Sequence, residues 1–203
     1  LRPIEIVIPE GSMLSPAFPA AVVAGNTELS QCVTNAVFAA FGVMAPSQGT
    51  MNNLTFGNER VQYYETICSG SPAGDGFDGT AGVHVHMTNT RLTDPEILEK
   101  RYPVVLEEFS IRRGSGGKGQ FNSGDGTRRV ICFHDAMHVS MLSGFRSIAP
   151  PGLKGGEPGQ TGGNTIRRGN GTLENLGGCG ETDVSPGDAI LIDTPTGGGY
   201  GTV

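Results

Sequence analysis

Glycine narrows the folds open to this chain more than any other residue: 33 occur in 203 positions, 10 of them in residues 1–100 and 23 after that. They do not recur at every third position, which excludes a collagen helix, and they do not form a Gly/Ser linker. They stand in short clusters between apolar segments, where turns between strands belong. The clusters at 114–119, 124–126 and 197–199 are therefore expected in turns and loops, since glycine weakens strand centres and supplies positive φ.

Between the clusters, Val104 and Leu106, Val130 and Cys132, and Val139 and Met141 alternate with the two-residue period of half-buried strands. Strands are expected over 104–112, 127–134, 137–143 and 188–194. The first half differs. Leu29, Cys32, Val33, Ala36, Val37, Ala40, Phe41 and Met44 follow helical spacing, which predicts an amphipathic helix over 27–45, opened by Asn26 or Thr27 and stopped by Pro46. A short helix is expected over 94–101, with Thr93 and Glu96 at capping-box spacing and Pro95 in the first turn. The fold class is thus α+β: one long amphipathic helix packed with a glycine-rich, mainly antiparallel β region, a sandwich or partial barrel, in the C-terminal half. The composition changes near Pro103, dividing the chain into a mixed segment, 1–103, and a glycine-rich β domain, 104–203.

The chain is long enough to bury a core without staples, and with 6% aromatics and no tryptophan that core is expected to be aliphatic. No apolar run approaches the roughly 18 residues of a membrane span. A net charge of −6 argues against a nucleic-acid partner, because neutralising phosphates needs a basic face. Cys32, Cys68, Cys132 and Cys179 form no C-x-x-C pair and read as reduced thiols of a cytoplasmic protein. The chain opens at Leu1 without a charged-then-apolar leader, and reads as a piece of a longer protein.

Each chemical motif in the chain depends on its context. Residues 114–119 match G-x-G-x-x-G, but another turn follows where a phosphate-binding loop needs a helix N-terminus, and Lys118 precedes glycine instead of Ser or Thr. This loop reads as a structural turn array. No G-x-S-x-G elbow occurs. Cys179, between two glycines and far in sequence from any histidine, reads as a loop residue. His84 and His86 share a face if 83–90 is a strand, which suits either a shared metal or a packed polar surface. His134 and His138 read as surface residues. Asn26, Ser30 and Gln31 at the start of the long helix suit either capping or a small polar ligand. The run 48–54 carries side-chain amides where a plain loop would need none.

Taken in order, these segments resemble the large hydrolytic subunit of the hydantoinase B and 5-oxoprolinase family. The resemblance rests on Gly25-Asn26-Thr27-Glu28-Leu29-Ser30-Gln31, Ser47-Gln48-Gly49-Thr50-Met51-Asn52-Asn53, Tyr63-Tyr64-Glu65-Thr66 and His84-Val85-His86-Met87-Thr88-Asn89-Thr90-Arg91. It continues through Asp94-Pro95-Glu96, Tyr102-Pro103, Arg112-Arg113-Gly114-Ser115-Gly116-Gly117, Gly155-Gly156-Glu157-Pro158-Gly159 and Thr194-Pro195-Thr196-Gly197-Gly198-Gly199-Tyr200-Gly201. The chain departs from the family at Thr202-Val203, where the family continues with Asp-Pro.

The resemblance implies that the chain is the C-terminal part of an ATP-dependent cyclic-amide hydrolase, opening 5-oxo-L-proline to L-glutamate or acting on a related hydantoin. It implies an actin-like hydantoinase A domain or subunit that binds ATP and phosphorylates the lactam oxygen, and an oligomeric assembly. No cofactor is expected in this chain itself; ATP and a divalent metal are implied for the complete enzyme, with the fragment alone inactive. Two alternatives stay open: a scaffold and subunit-contact fragment with the chemistry elsewhere, or the ATP-dependent ketone carboxylase branch. Within the matching motifs, His86 is the candidate general acid or base, since an imidazole titrates near neutrality. Asn26, Gln31, Asn52, Asn53, Asn89 and Arg91 are the candidate substrate contacts. Convergence of His86, Asn89, Asn52 and Asn26 on one site would favour the enzyme over the scaffold.

Overall fold

A computed structural model describes residues 5–203. A helix, α1 (Val23–Phe41), precedes two strands, β1 (Asn53–Gly57) and β2 (Gln62–Thr66); a short helix, α2 (Pro95–Arg101), leads into β3 (Val104–Arg112). The remaining strands are β4 (Gly126–Phe133), β5 (Met137–Leu142), β6 (Gly163–Arg167), β7 (Leu173–Asn175), β8 (Cys179–Val184) and β9 (Ala189–Asp193). They form a four-stranded sheet in the order β2-β1-β5-β8 and a five-stranded sheet in the order β3-β4-β9-β6-β7, with antiparallel pairing throughout. Leu54, Phe56, Val139 and Met141 from the first sheet meet Ile131, Phe133, Ile166, Ile190 and Ile192 from the second in one buried cluster, with Leu98 of α2 at its edge. The chain is therefore α+β, with the sheets face to face around a mainly aliphatic core in which the buried rings of Phe56 and Phe133 meet in a T-shaped contact and Tyr102 stands edge-on to Phe56.

The alternating segments of the second half fold as strands close to their expected limits. The glycine clusters fall in turns and loops, with Gly126 as the first residue of β4. Close backbone approach explains several of these glycines. A Cβ on Gly199 would meet the Lys118 carbonyl oxygen at 2.1 Å, and one on Gly156 would meet the Gly199 carbonyl oxygen at 2.2 Å.

Strands β1, β2, β6, β7 and β8 lie outside the expected set. β7 and β8 are edge strands whose residues are mostly exposed, so they lack the apolar alternation that marks a strand. β1 pairs with both β2 and β5, so the first sheet takes strands from either side of the composition break at Pro103.

Helix α1 corrects the expectation over 27–45 in two ways. It begins at Val23, with Asn26 and Thr27 inside the first turns, and no side chain caps it. It ends at Gly42, whose φ of 69° turns the chain left-handed before Pro46 is reached. Its apolar residues also do not face the core: Phe41 is 75% exposed, Val37 46%, and Cys32 and Ala36 are exposed too, whereas the buried positions are Gln31 and Asn35. The helix lies on the polar loop that follows it instead of on a sheet. Helical period identifies faces; it does not say which face finds a partner.

Helix α2 is capped by Asp94, which accepts from the Glu96 amide, and not by Thr93, whose hydroxyl accepts from Tyr63. The segment 83–90 is irregular, with one turn closed by the Thr88 amide on the Val85 carbonyl, and not a strand. Val83 bridges Ser69, and His86 then adopts a φ of 56° that ends any extended run. His84 and His86 therefore do not share a strand face. His134 and His138 are exposed, and His138 pairs with Asp183 on the neighbouring β8.

Candidate functional site

Residues 28, 31 and 35 lie on one stripe of α1, because positions three, four and seven apart stack on a helix face. In α1 that stripe is Glu28, Gln31 and Asn35, and it presses on the loop 47–53. Asn35 Oδ1 accepts the Ser47 amide at 2.8 Å, and Glu28 Oε1 accepts the Met51 amide at 3.0 Å and Asn53 Nδ2 at 2.8 Å. A loop buried beneath a helix has backbone donors that no ladder satisfies, and these side chains satisfy them. Asn53 is saturated, since Nδ2 also donates to the Leu142 carbonyl and Oδ1 accepts from Tyr64.

Two further segments join the cluster. From the turn after Val83, His86 Nε2 lies 2.8 Å from Asn35 Oδ1 and its ring lies beside Phe38, while Gln31 Nε2 donates to the Val85 carbonyl. From the turn after β5, Arg146 donates to Asn52 Oδ1 at 2.9 Å, to the Gly144 carbonyl, and to Asn164 Oδ1 on β6. Asn52 links this side to the loop by donating to Gln48 Oε1 at 2.7 Å and to the Ile67 carbonyl.

Two independent features mark this cluster as more than support. Of the five buried side-chain atoms without a partner among the described residues, three belong to it, Gln31 Oε1, Gln48 Nε2 and Arg146 Nε; the others are Ser12 Oγ and His84 Nε2. Such groups are uncommon in folded proteins because each costs about 1–3 kcal/mol. Left-handed backbone at residues other than glycine concentrates there too. Of the four such described residues, Asn52 at 49°, His86 at 56° and Phe145 at 54° belong to the cluster or adjoin it. Strained conformations persist where the surroundings impose them, and they gather at functional sites. Phe145 holds its ring against Gly49, where a Cβ would stand 2.1 Å from a ring carbon.

The hydrogen bonds assign the His86 tautomer. Asn35 Oδ1 accepts the Ser47 N–H, so it is the carbonyl oxygen, and His86 Nε2 must be the donor to it. Nδ1 then carries the lone pair. Burial lowers the His86 pKa, which keeps the ring neutral at pH 7, the state of a general base. Burial also pushes the Arg146 pKa down to about 10, still far above neutrality.

Of the residues singled out in the sequence, His86, Gln31, Asn52 and Asn53 meet in this cluster. Asn26, Asn89 and Arg91 are exposed and stand outside its hydrogen-bond network. Glu28, Gln48 and Ser47 lay in the family-like motifs without an assigned role. Asn35 carried a signal, a polar residue one turn after Gln31 within an apolar run. Arg146 and Asn164 carried none.

Among the described residues, neither a ligand cluster nor the glycine loop offers a donor set to the groups implied for the complete enzyme. Among the described residues no three His, Cys, Asp or Glu side chains gather as metal ligands. The amides of the glycine loop are already taken: Gly114 and Gly116 donate to Asp125, Gly117 to Ser123 Oγ and Gly119 to Asn122 Oδ1. That loop closes on itself and offers no cradle to a phosphate. The four cysteines are free thiols, and no helix among the described residues is long and apolar enough to cross a membrane.

Comparison with known proteins agrees with this architecture. The family model for hydantoinase B/oxoprolinase matches residues 1–203. A 5-oxoprolinase of Dictyostelium discoideum is 51% identical over 99% of the chain, and 5-oxoprolinase 1 of Arabidopsis thaliana is 50% identical over all of it. The chain spans only 16% of the length of either relative. An ATP-dependent caprolactamase from Pseudomonas jessenii shares the fold over 79% of this chain and 30% of its own, with a TM-score of 0.64 at 24% identity.

Proposed function

The chain belongs to the hydantoinase B/oxoprolinase family, and from that premise we propose that it is the C-terminal part of an ATP-dependent cyclic-amide hydrolase that opens 5-oxo-L-proline or a related ring. The observation that carries this reading is the buried polar cluster beneath α1, with its unpartnered atoms on Gln31, Gln48 and Arg146. A small cyclic amide offers an N–H and a carbonyl, the complements such atoms lack. Asn52 and Asn53 support the site, since their side-chain atoms are committed within the fold.

An amide resists hydrolysis because nitrogen donates into the carbonyl and leaves poorly. In the proposed division of labour, an actin-like ATP-binding partner activates the amide oxygen by phosphorylation, and this chain holds the ring and supplies a base. His86 Nδ1 fills that role: it can take a proton from the attacking water while Asn35 holds the ring through Nε2. A cytoplasmic, oligomeric enzyme belongs to the same reading.

In the complete protein with its ATP-binding partner, His86→Ala is expected to lower lactam turnover by at least about tenfold, the low side for a general base. The circular dichroism spectrum and melting temperature should match the parent. Unchanged turnover in a normally folded variant would remove His86 from the site.

A further inference from the structure

Asn52 stands between two buried donors that have nothing to donate to. Its Nδ2 bonds to Gln48 Oε1, which fixes the Gln48 amide and leaves Nε2 as the orphaned NH2. Its Oδ1 accepts from Arg146 Nη1, whose second bond goes to Gly144, while Nη2 reaches Asn164; Arg146 Nε is buried without an acceptor. Both orphans are N–H groups, so the missing partner is an acceptor and not a donor.

The charge of Arg146 also has no contacting counter-ion: no carboxylate of a described residue lies within ion-pair range of it. Glu28 and Asp193 act on it only through space, Glu28 with Oε1 engaged by Met51 and Asn53 and Asp193 paired with Arg112 and Arg128, and Arg112 adds a second positive charge nearby. Elsewhere in the molecule the Nε/Nη2 edge of arginine takes a carboxylate in two parallel bonds: Arg129 on Glu65 at 2.6 and 3.0 Å, and Arg128 on Asp193 at 2.7 and 2.7 Å. Arg146 turns the Nε end of that edge towards no carboxylate. A largely buried guanidinium without a contacting counter-ion is costly, and an oxyanion is the acceptor that complements the free Nε–H while Nη1 and Nη2 stay with Asn52, Gly144 and Asn164.

We infer that Arg146 and Gln48, held apart by Asn52, form an oxyanion-binding subsite of the candidate site. This rests on the reading proposed above and adds to it a specific ligand group. Two sources share the chemistry: a carboxylate on the ring, as in 5-oxoproline, or a phosphoryl group on the activated amide.

The test is equilibrium binding by calorimetry, on the complete protein without ATP, of 5-oxoproline, 2-pyrrolidinone (the same ring without the carboxylate) and inorganic phosphate. A carboxylate site predicts that Arg146→Gln weakens 5-oxoproline at least about tenfold and leaves 2-pyrrolidinone unchanged; a phosphoryl site predicts the same loss for phosphate alone. Gln48→Glu keeps the acceptor for Asn52 and replaces the orphan donor with a negative oxygen. It should reproduce the loss and serves if the arginine variant fails to fold. Parent-like affinity for both anions in the folded variants, or no anion binding by the parent protein, overturns the inference. Lactam turnover with ATP, measured in parallel, reports separately on the proposed function: a parent enzyme that turns over lactams but binds neither anion sinks the subsite alone.

Discussion

His86 and its neighbour His84 are both held below the ordinary histidine pKa by burial, which disfavours their charged forms. Each therefore binds a proton more readily in the unfolded chain than in the folded one. Their contribution to stability is present above pH 6.5 or so and is lost as the pH falls through their folded values. A melting temperature that declines from pH 7 to 5 is expected, and His86→Gln combined with His84→Gln should flatten the decline. His138 works in the opposite sense, raised by Asp183 and Glu181, but it is exposed and screened, so moderate salt isolates the buried pair. The same lowering predicts that the acid limb of the pH–rate profile of the complete enzyme lies below 6.5. Asn52 gives a second residue-scale test. Asn52→Ala loses the bonds to Gln48, Ile67 and Arg146 and leaves alanine at a φ of 49°. A loss of about 2–4 kcal/mol is expected from denaturant unfolding.

Helix α1 is attached by its polar side chains. Glu28, Gln31 and Asn35 reach the loop 47–53 and the turn at 85–86, while Val37 and Phe41 are left outside. The fully buried positions described on this element are thus polar, while two of its large apolar side chains are exposed. Phe41→Ser and Val37→Ser are expected to change the stability of the 203-residue chain by less than about 0.5 kcal/mol, as for other surface positions. Asn35→Ala, which orphans the buried Ser47 amide and the His86 ring, should cost about 1–3 kcal/mol. Denaturant midpoints of the three variants decide between this arrangement and a helix that packs by its apolar stripe.

At the scale of the molecule, one ion pair among the described residues crosses from sheet to sheet. Arg129 of β4 bonds Glu65 of β2 through Nε and Nη2, with both side chains buried, the Tyr63 hydroxyl on Glu65 at 2.8 Å and the Phe109 ring beside the guanidinium. Removing one partner leaves the other buried and uncompensated. Glu65→Leu or Arg129→Met alone should each cost about 3–5 kcal/mol, and the double variant should cost less than either, because apolar groups fill the space without a stranded charge. A double-mutant cycle by thermal or denaturant unfolding measures this; additive losses would mean that the pair does not act as a unit.

The amino-acid sequence by itself determined the parts of this protein that depend on neighbours along the chain. The strands at 104–112 and 137–143 followed from two-residue alternation, the glycine clusters from the turns they permit, and family membership from ordered motifs such as Gln48-Gly49-Thr50-Met51-Asn52-Asn53. Only the tertiary structure decided which face of α1 is covered, that β1 lies between β2 and β5, and that an arginine could be buried in β4. It alone brought Arg146 to Asn52, 94 positions away, and left an orphan donor on each of the two side chains that Asn52 bonds. Periodicity reports what a residue can bury. Which buried group it meets depends on strand register and on how closely distant backbones approach, and neither is written in any local pattern.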